Sequence, residues 1–312
     1  MRVRPTLTAA AVLLASCATP QSAPQPEIAV TIDDLPVHAP YPSGVTADQV
    51  SNEMIAALKS GGVPATGFVN AVRLQGQPET GRVLDAWHSA GFALGNHGWS
   101  HRHVSEMTLP QFEDELVKDE PILERLGAGS DWHWFRYPFL DEGKDAEQRI
   151  AARQILAKHG YRVAAVAMSF SDWQWTAPYA RCASARNAGA VAELERMYLD
   201  SAKENVAVAR DTARKLYGRD IPYVLLMHVS AMSAHMMPRL IRLYRDAGFR
   251  FVSVAEAERD PAYREYTDLS LPPPPPPWEL ALKKGVKLPQ AMDYSEKLAA
   301  MCPGSGPSVS IP

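Results

Sequence analysis

The sequence is poor in cysteine. Three occur in 312 residues, at positions 17, 182 and 302, and no Cys-x-x-Cys spacing exists. That argues against a thiolate metal site. A long basic stripe is also missing. The net charge is −3, with acids and bases mixed along the chain, so no nucleic-acid partner is expected. Long apolar runs are scarce as well. The one near the start, inside MRVRPTLTAAAVLLASC, is too short to span a bilayer comfortably. What is present is 46% apolar and 21% charged residues, enough for one large core or one domain plus tails. The 11 tyrosines and 7 tryptophans suit a sugar-binding cleft and a core equally well.

The first residues have the layout of a secretory signal: two arginines, a short apolar run, then small residues ending at Cys17. Leu14-Ala15-Ser16-Cys17 resembles the bacterial lipobox, which implies cleavage before Cys17 and its lipidation. An ordinary signal peptide with an incidental cysteine is the alternative. ATPQSAPQPE then reads as a Pro/Gln/Ser-rich tether. The expected organisation is a signal over 1–16, a tether over 17–26, a folded domain over 27–260 and a Pro-rich extension over 261–312. The expected location is a bacterial cell envelope, with a lipid anchor in the membrane. Ala18 after the cysteine favours the outer membrane, facing the periplasm. In an oxidising compartment Cys182 and Cys302 can pair, which would tie the C-terminal tail to the domain.

Hydrophobic periodicity alternates between strand and helix along the body. Strands are expected at 27–32, 65–69, 92–94, 133–136, 163–166, 223–227 and 249–252. Helices are expected at about 46–60, 79–89, 110–126, 146–159, 188–217 and 237–247, with Pro121 inside the third. The alternation predicts an α/β fold with a parallel sheet or barrel. In the tail, LPPPPPPWEL is expected to be extended polyproline, a spacer strapped along the domain, with a short helix somewhere in 279–301.

Polar residues collect at strand ends. Asp33 and Asp34 close the first strand, His97 and His101 follow the third, and Arg136 and His228 end two others. In parallel α/β folds these ends share one face, where active sites sit. A lone Asp-Asp is usually a turn and a lone histidine usually packs. Several together at one end are harder to dismiss.

Five motifs in order resemble polysaccharide deacetylases of the nodulation-deacetylase type, carbohydrate esterase family four. They are Thr31-Ile32-Asp33-Asp34, His97-Gly98-Trp99-Ser100-His101, Arg136-Tyr137-Pro138-Phe139, Ser171-Asp172-Trp173 and Leu226-Met227-His228. The resemblance implies a distorted (β/α) barrel with fewer than eight units. It also implies removal of acetyl groups from an N- or O-acetylated glycan such as peptidoglycan, chito-oligosaccharide, xylan or exopolysaccharide. Asp34, His97 and His101 would bind one divalent metal, zinc by default, with cobalt, nickel or manganese as alternatives. The metal would polarise the acetyl carbonyl and activate water. Asp33 would be the base, paired with Arg136, and His228 the acid, held by Asp172. The backbone N–H of Phe139 would donate to the oxyanion, and Trp173 and Leu226 would line an apolar slot for the acetyl methyl. A helix beginning at Ser100-His101 would keep both imidazoles on one face.

Two positions depart from the family pattern. Leu35 stands where Gly is usual and is expected to reshape one lip of the cleft. Gly98 stands where Ser or Thr is usual, so the histidine loop needs another support. His103 and His235 read as surface or supporting groups. His38 lies near the first motif without an assigned role, and Trp132, His133 and Trp134 read as packing around the Arg136 strand. No segment reads as an added carbohydrate-binding domain, so affinity must come from the cleft. The alternatives are a metal hydrolase acting on non-sugar C–N bonds, and a catalytically silent envelope lipoprotein that binds metal or glycan. The oligomeric state is left open.

Overall fold

The computed structural model describes residues 25–76, 80–127, 131–289 and 291–304. The expected signal, Cys17 and most of the tether lie outside the described residues. No helix among the described residues is long and apolar enough to cross a membrane.

Strand and helix alternate from the first described element. β1 (Glu27–Leu35) leads through α1 (Ala47–Ser60) to β2 (Thr66–Val69). Next come α2 (Arg73–Gly76), α3 (Gly81–Ser89) and β3 (Ala93–Asn96), then α4 (Leu109–Gly127) and β4 (Trp134–Phe135). α5 (Ala146–Lys158) precedes β5 (Arg162–Val163), and α6 (Thr176–Ser184) with α7 (Ala188–Tyr217) precedes β6 (Tyr223–His228). α8 (Ala231–Asp246) leads to β7 (Arg250–Phe251). The end of the chain forms α9 (Val254–Ala257), α10 (Arg264–Thr267), α11 (Pro277–Lys283) and α12 (Ser295–Ala300).

The strands pair in parallel in the order β5-β4-β3-β2-β1-β6, with β7 paired to β1 off this path. Beyond β5 the chain curls back onto the far edge. Met168 bridges to Leu225 in β6, and the Leu226 N–H donates to the Met168 carbonyl. The sheet is thereby curled into the distorted barrel with fewer than eight units that the motifs imply.

Local sequence explains most elements. β1 is buried from Ile28 to Leu35, as a central parallel strand must be. In α1, Val50, Met54, Ile55 and Leu58 form the inward face, and Thr46 with Gln49 makes a capping box, worth about 1 kcal/mol. α7 ends at Gly218, whose φ of 73° supplies the left-handed cap.

Several boundaries differ from expectation. α8 starts at Ala231 rather than Met237, because the Ser230 side chain accepts from the Ser233 N–H and caps it there. α6 was not expected at all. The tail is not extended throughout. α11 opens at Pro277, since proline at the first helical position sacrifices no needed donor. The single helix expected within 279–301 is instead the later part of α11 plus the separate α12. Cys182 in α6 and Cys302 beyond α12 form a disulfide across 120 residues.

Candidate metal centre and catalytic cleft

Asp33 and Asp34 lie inside β1 rather than after it. The register against β2 shifts between Ile32 and Leu35, and Asp34 has φ 68°. A regular strand would point neighbouring side chains to opposite faces. The bulge breaks that alternation, and both carboxylates line one cleft. Leu35 then turns inward and is fully buried. It fills the space left by Gly67, where a Cβ would come within 2.2 Å of the Leu35 Cδ1. The expected reshaping of the cleft lip by Leu35 is therefore corrected: this leucine is core.

His97 follows β3, and the loop after it is not the start of a helix. Gly98 has φ 72° and His101 φ 54°, and helical residues begin only at Val104. A turn, not helical spacing, brings the two imidazoles to 4.9 Å between ring centroids. Its support comes from three side chains. Asn70 Nδ2 donates to the carbonyls of His97 and Gly98 at 2.8 and 2.7 Å. The Gly98 N–H donates to Asn96 at 2.8 Å. The Ser100 N–H and hydroxyl donate to Glu115 at 2.6 and 2.7 Å. These bonds replace the hydroxyl that residue 98 lacks, and the positive φ accounts for glycine there.

Asp34, His97 and His101 offer ligand atoms that all lie within 4.8 Å of one another. The His97 and His101 Nε2 atoms stand 3.7 and 3.4 Å from Asp34 Oδ1. Tetrahedral ligation at about 2.1 Å separates ligand atoms by about 3.4 Å. Asp34 Oδ1 is buried and makes no hydrogen bond among the described residues; Arg73 approaches it only to 3.7 Å. Such an orphaned oxygen fits a cation. The other donor atoms are committed elsewhere. His97 Nδ1 donates to the Arg136 carbonyl at 2.7 Å, which leaves Nε2 its lone pair. His38 Nδ1 holds Asp34 Oδ2 at 2.5 Å. Burial lowers both His97 and His101 to about 4, so each is the neutral imidazole that binds metal. Burial raises Asp34, but the His38 hydrogen bond and charge, with His101 and His228 beyond, hold it well below the usual carboxylate range.

Two acid–base pairs flank this set. Arg136, fully buried, reaches Asp33 at 3.3 and 3.4 Å. The rest of its guanidinium is anchored on Thr31 and the Ala164 carbonyl. Burial pushes Asp33 above its ordinary value, with Arg136 and His228 opposing. On β6, His228 Nδ1 donates to Asp172 at 2.8 Å. Asp172 also accepts from the His228 N–H at 2.9 Å and the Ser233 hydroxyl at 2.7 Å. Burial alone would lower His228. The Asp172 charge and hydrogen bond, with Asp34 and Asp33 behind them, outweigh it and hold the imidazole at about 9.

The cleft joining these groups has a volume of about 450 Å³. Phe139, Trp173 and Leu226 are among the residues that line it. Phe139 has φ 57°, and its half-exposed ring stacks on His103 at 3.8 Å. Sequence reasoning gave no role to His38, Leu140, Ser169 or Trp278, which also line the cleft. Proximity to the first motif was the only signal for His38, and an aromatic after a proline run the only one for Trp278. His103 supports Phe139, His235 pairs with Glu195 at the surface, and Trp134 is buried beside β5, all as read.

A family match agrees with this architecture. Residues 21–164 match the model of the polysaccharide deacetylase family. That stretch is a little under half of the chain, and the barrel is similar in fold to structures described as belonging to carbohydrate esterase family four. Among solved structures, the fold is similar to wild-type BA3943 from Bacillus anthracis, described as a CE4 family pseudoenzyme. The TM-score is 0.53 and the identity 14%, over 75% of this chain and 65% of that one. A BA3943 mutant described as having restored enzymatic activity matches with a TM-score of 0.53 and 16% identity, over 75% and 67%. The Bc1960 peptidoglycan N-acetylglucosamine deacetylase matches with a TM-score of 0.50 and 19% identity, over 74% and 87%. This chain spans about two thirds of BA3943's length. At these identities the likeness is one of fold.

Proposed function

We propose that this protein removes acetyl groups from an N- or O-acetylated glycan, using a divalent ion held by Asp34, His97 and His101. The observation that carries this reading is the convergence of both acid–base pairs, Asp33 with Arg136 and His228 with Asp172, on the cleft that contains the three ligands. When bound, the ion supplies Lewis acidity for the acetyl carbonyl and lowers the pKa of water. Asp33 accepts the proton of the attacking water, and Arg136 keeps that carboxylate oriented. The Phe139 N–H donates to the carbonyl oxygen as negative charge develops there. His228 passes a proton from Nε2 to the departing nitrogen or oxygen, while Asp172 fixes Nδ1. Trp173 and Leu226 enclose the acetyl methyl. Zinc suits the two-histidine, one-carboxylate set, with cobalt, nickel and manganese as substitutes. Lipidation at Cys17 would put the domain beside peptidoglycan. Bc1960 is described as a peptidoglycan deacetylase, which makes that polymer the first to test.

Likeness to a pseudoenzyme keeps a silent binding role in view, but binding alone needs neither base nor acid. A non-sugar C–N substrate is the other alternative, and it loses its motive now that Leu35 is core. The test is acetate release from peptidoglycan, chito-oligosaccharides and acetylated xylan by protein stripped of metal, then resupplied with zinc, cobalt, nickel or manganese. Release from at least one polymer, only after metal is restored, is expected. No release from any of them, with one equivalent of metal bound, would overturn the reading; small amides and imides would be assayed next.

A further inference from the structure

The C-terminal segment is clamped to the barrel at both ends. Buried Arg153 of α5 donates from Nη2 to the carbonyls of Glu265, Tyr266 and Asp268 at 2.9 to 3.1 Å. The Tyr266 hydroxyl donates to the Pro275 carbonyl at 2.7 Å, which ties down the proline run. Farther along, Arg181 donates to the carbonyls of Leu298 and Met301, and the Cys182–Cys302 bridge closes the loop. Between the clamps, the first turn of α11 presents Trp278.

Trp278 is a wall shared by two cavities. One is the 450 Å³ cleft already described. The other, about 390 Å³, lies between Pro273–Pro276 above and Phe139–Gly143 below. Phe139 and Leu140 also line both, so the cavities adjoin. Leu140 repeats the left-handed backbone of Phe139, with φ 55°. Two consecutive bulky residues in that region cost energy and mark functional turns. Arg149, Glu279 and Lys283 stand around the second cavity with Asp141 and Glu142. Aromatic and prolyl faces beside charged hydrogen-bonding groups suit a pyranose, which has apolar C–H faces and a rim of hydroxyls. A proline run loses little conformational entropy when it binds.

We infer that the cavity under the proline run is a glycan subsite, which holds the sugar next to the one being deacetylated and uses Trp278 as its stacking wall. This rests on the deacetylase reading and extends it: the C-terminal segment, through Trp278 and the proline run, supplies part of the substrate-binding surface. Binding energy gained there can be used at the reacting centre.

The test is calorimetric binding to the full Asp33→Asn chain in detergent, zinc-loaded. The probes are N-acetylglucosamine oligomers of increasing length and acetylated xylo-oligosaccharides of the same lengths. Affinity is expected to rise about tenfold when a sugar beyond the cleft is added. Trp278→Ala should erase that increment, Trp278→Phe should keep most of it, and the exposed control Met292→Ala should leave it intact. An increment that survives Trp278→Ala, in protein with parental metal content and melting temperature, would overturn the subsite. So would the absence of any length dependence in the parent for both series. Wild-type protein that releases no acetate, alongside length-dependent binding governed by Trp278, would sink the deacetylase reading and leave the cavity a glycan-binding site.

Discussion

Asp33 and Asp34 are adjacent in sequence yet sit in different electrostatic surroundings. Arg136 faces Asp33 across a buried contact, while His38 and the two loop histidines face Asp34. Their separate surroundings fit separate roles, and the roles can be separated by mutation. Asp33→Asn is expected to reduce turnover by at least a hundredfold, within the range for losing a general base, and to leave the metal content at one equivalent by elemental analysis. Metal lost along with activity would reverse the assignment. His228 gives a pH signature. As the proposed proton donor it must be protonated, so activity should hold below about 9 and fall as the pH rises through that value. Asp172→Asn removes the charge that raises His228 and leaves burial, which lowers it. The alkaline limb of the pH–kcat profile should then move to lower pH. A limb that stays in place would show that another group sets it.

Among the elements, the loop from His97 to His101 shows how a departure from a family pattern can be absorbed. Asn70, Asn96 and Glu115 carry the hydrogen bonding, and the backbone at residue 98 is left-handed. Restoring the family hydroxyl with Gly98→Ser should therefore harm the protein. A non-glycine residue in that region costs roughly 1–2 kcal/mol. The variant should unfold at lower urea and bind zinc about tenfold more weakly, as expected when support for a ligand is disturbed. Equal or tighter zinc binding by the variant would show that the loop tolerates the side chain. β1 teaches the same lesson through its bulge. One register shift sends Asp34 into the cleft and Leu35 into the core, although period-two alternation would have had Asp33 and Leu35 share a face.

For the whole molecule, closure is long-range. The barrel curls shut through Met168 on β6, and the tail is bolted to α6 by a disulfide spanning 120 residues. Cys302→Ser is expected to lower unfolding stability by about 2–5 kcal/mol, since the unfolded chain regains the entropy of a long open loop. Denaturant melts of variant and parent measure it. Thiol titration of the unreduced, unfolded parent should find neither Cys182 nor Cys302 free, and two free thiols would refute the bridge.

Strand–helix alternation, the bounds of α1 and α7, and the identities of Asp33, Asp34, His97, His101, Arg136, Asp172 and His228 were all legible in the linear sequence. Periodicity and capping are local properties, and the site residues stand beside strand ends that a parallel fold must gather on one face. Side-chain direction was not legible in the same way, because it depends on register and backbone sign. The bulge at Asp34, the inward turn of Leu35 and the left-handed Gly98 and His101 appear only once β1, β2 and the loop are in place. Trp278 reaches the cleft only through contacts between segments distant in the chain, whereas His38 lies four residues from Asp34 and depends on the turn after β1 to face it. Sequence by itself determined which chemical groups are available. Tertiary structure decided which of them face one another, since only folding converts separation along the chain into distance in space.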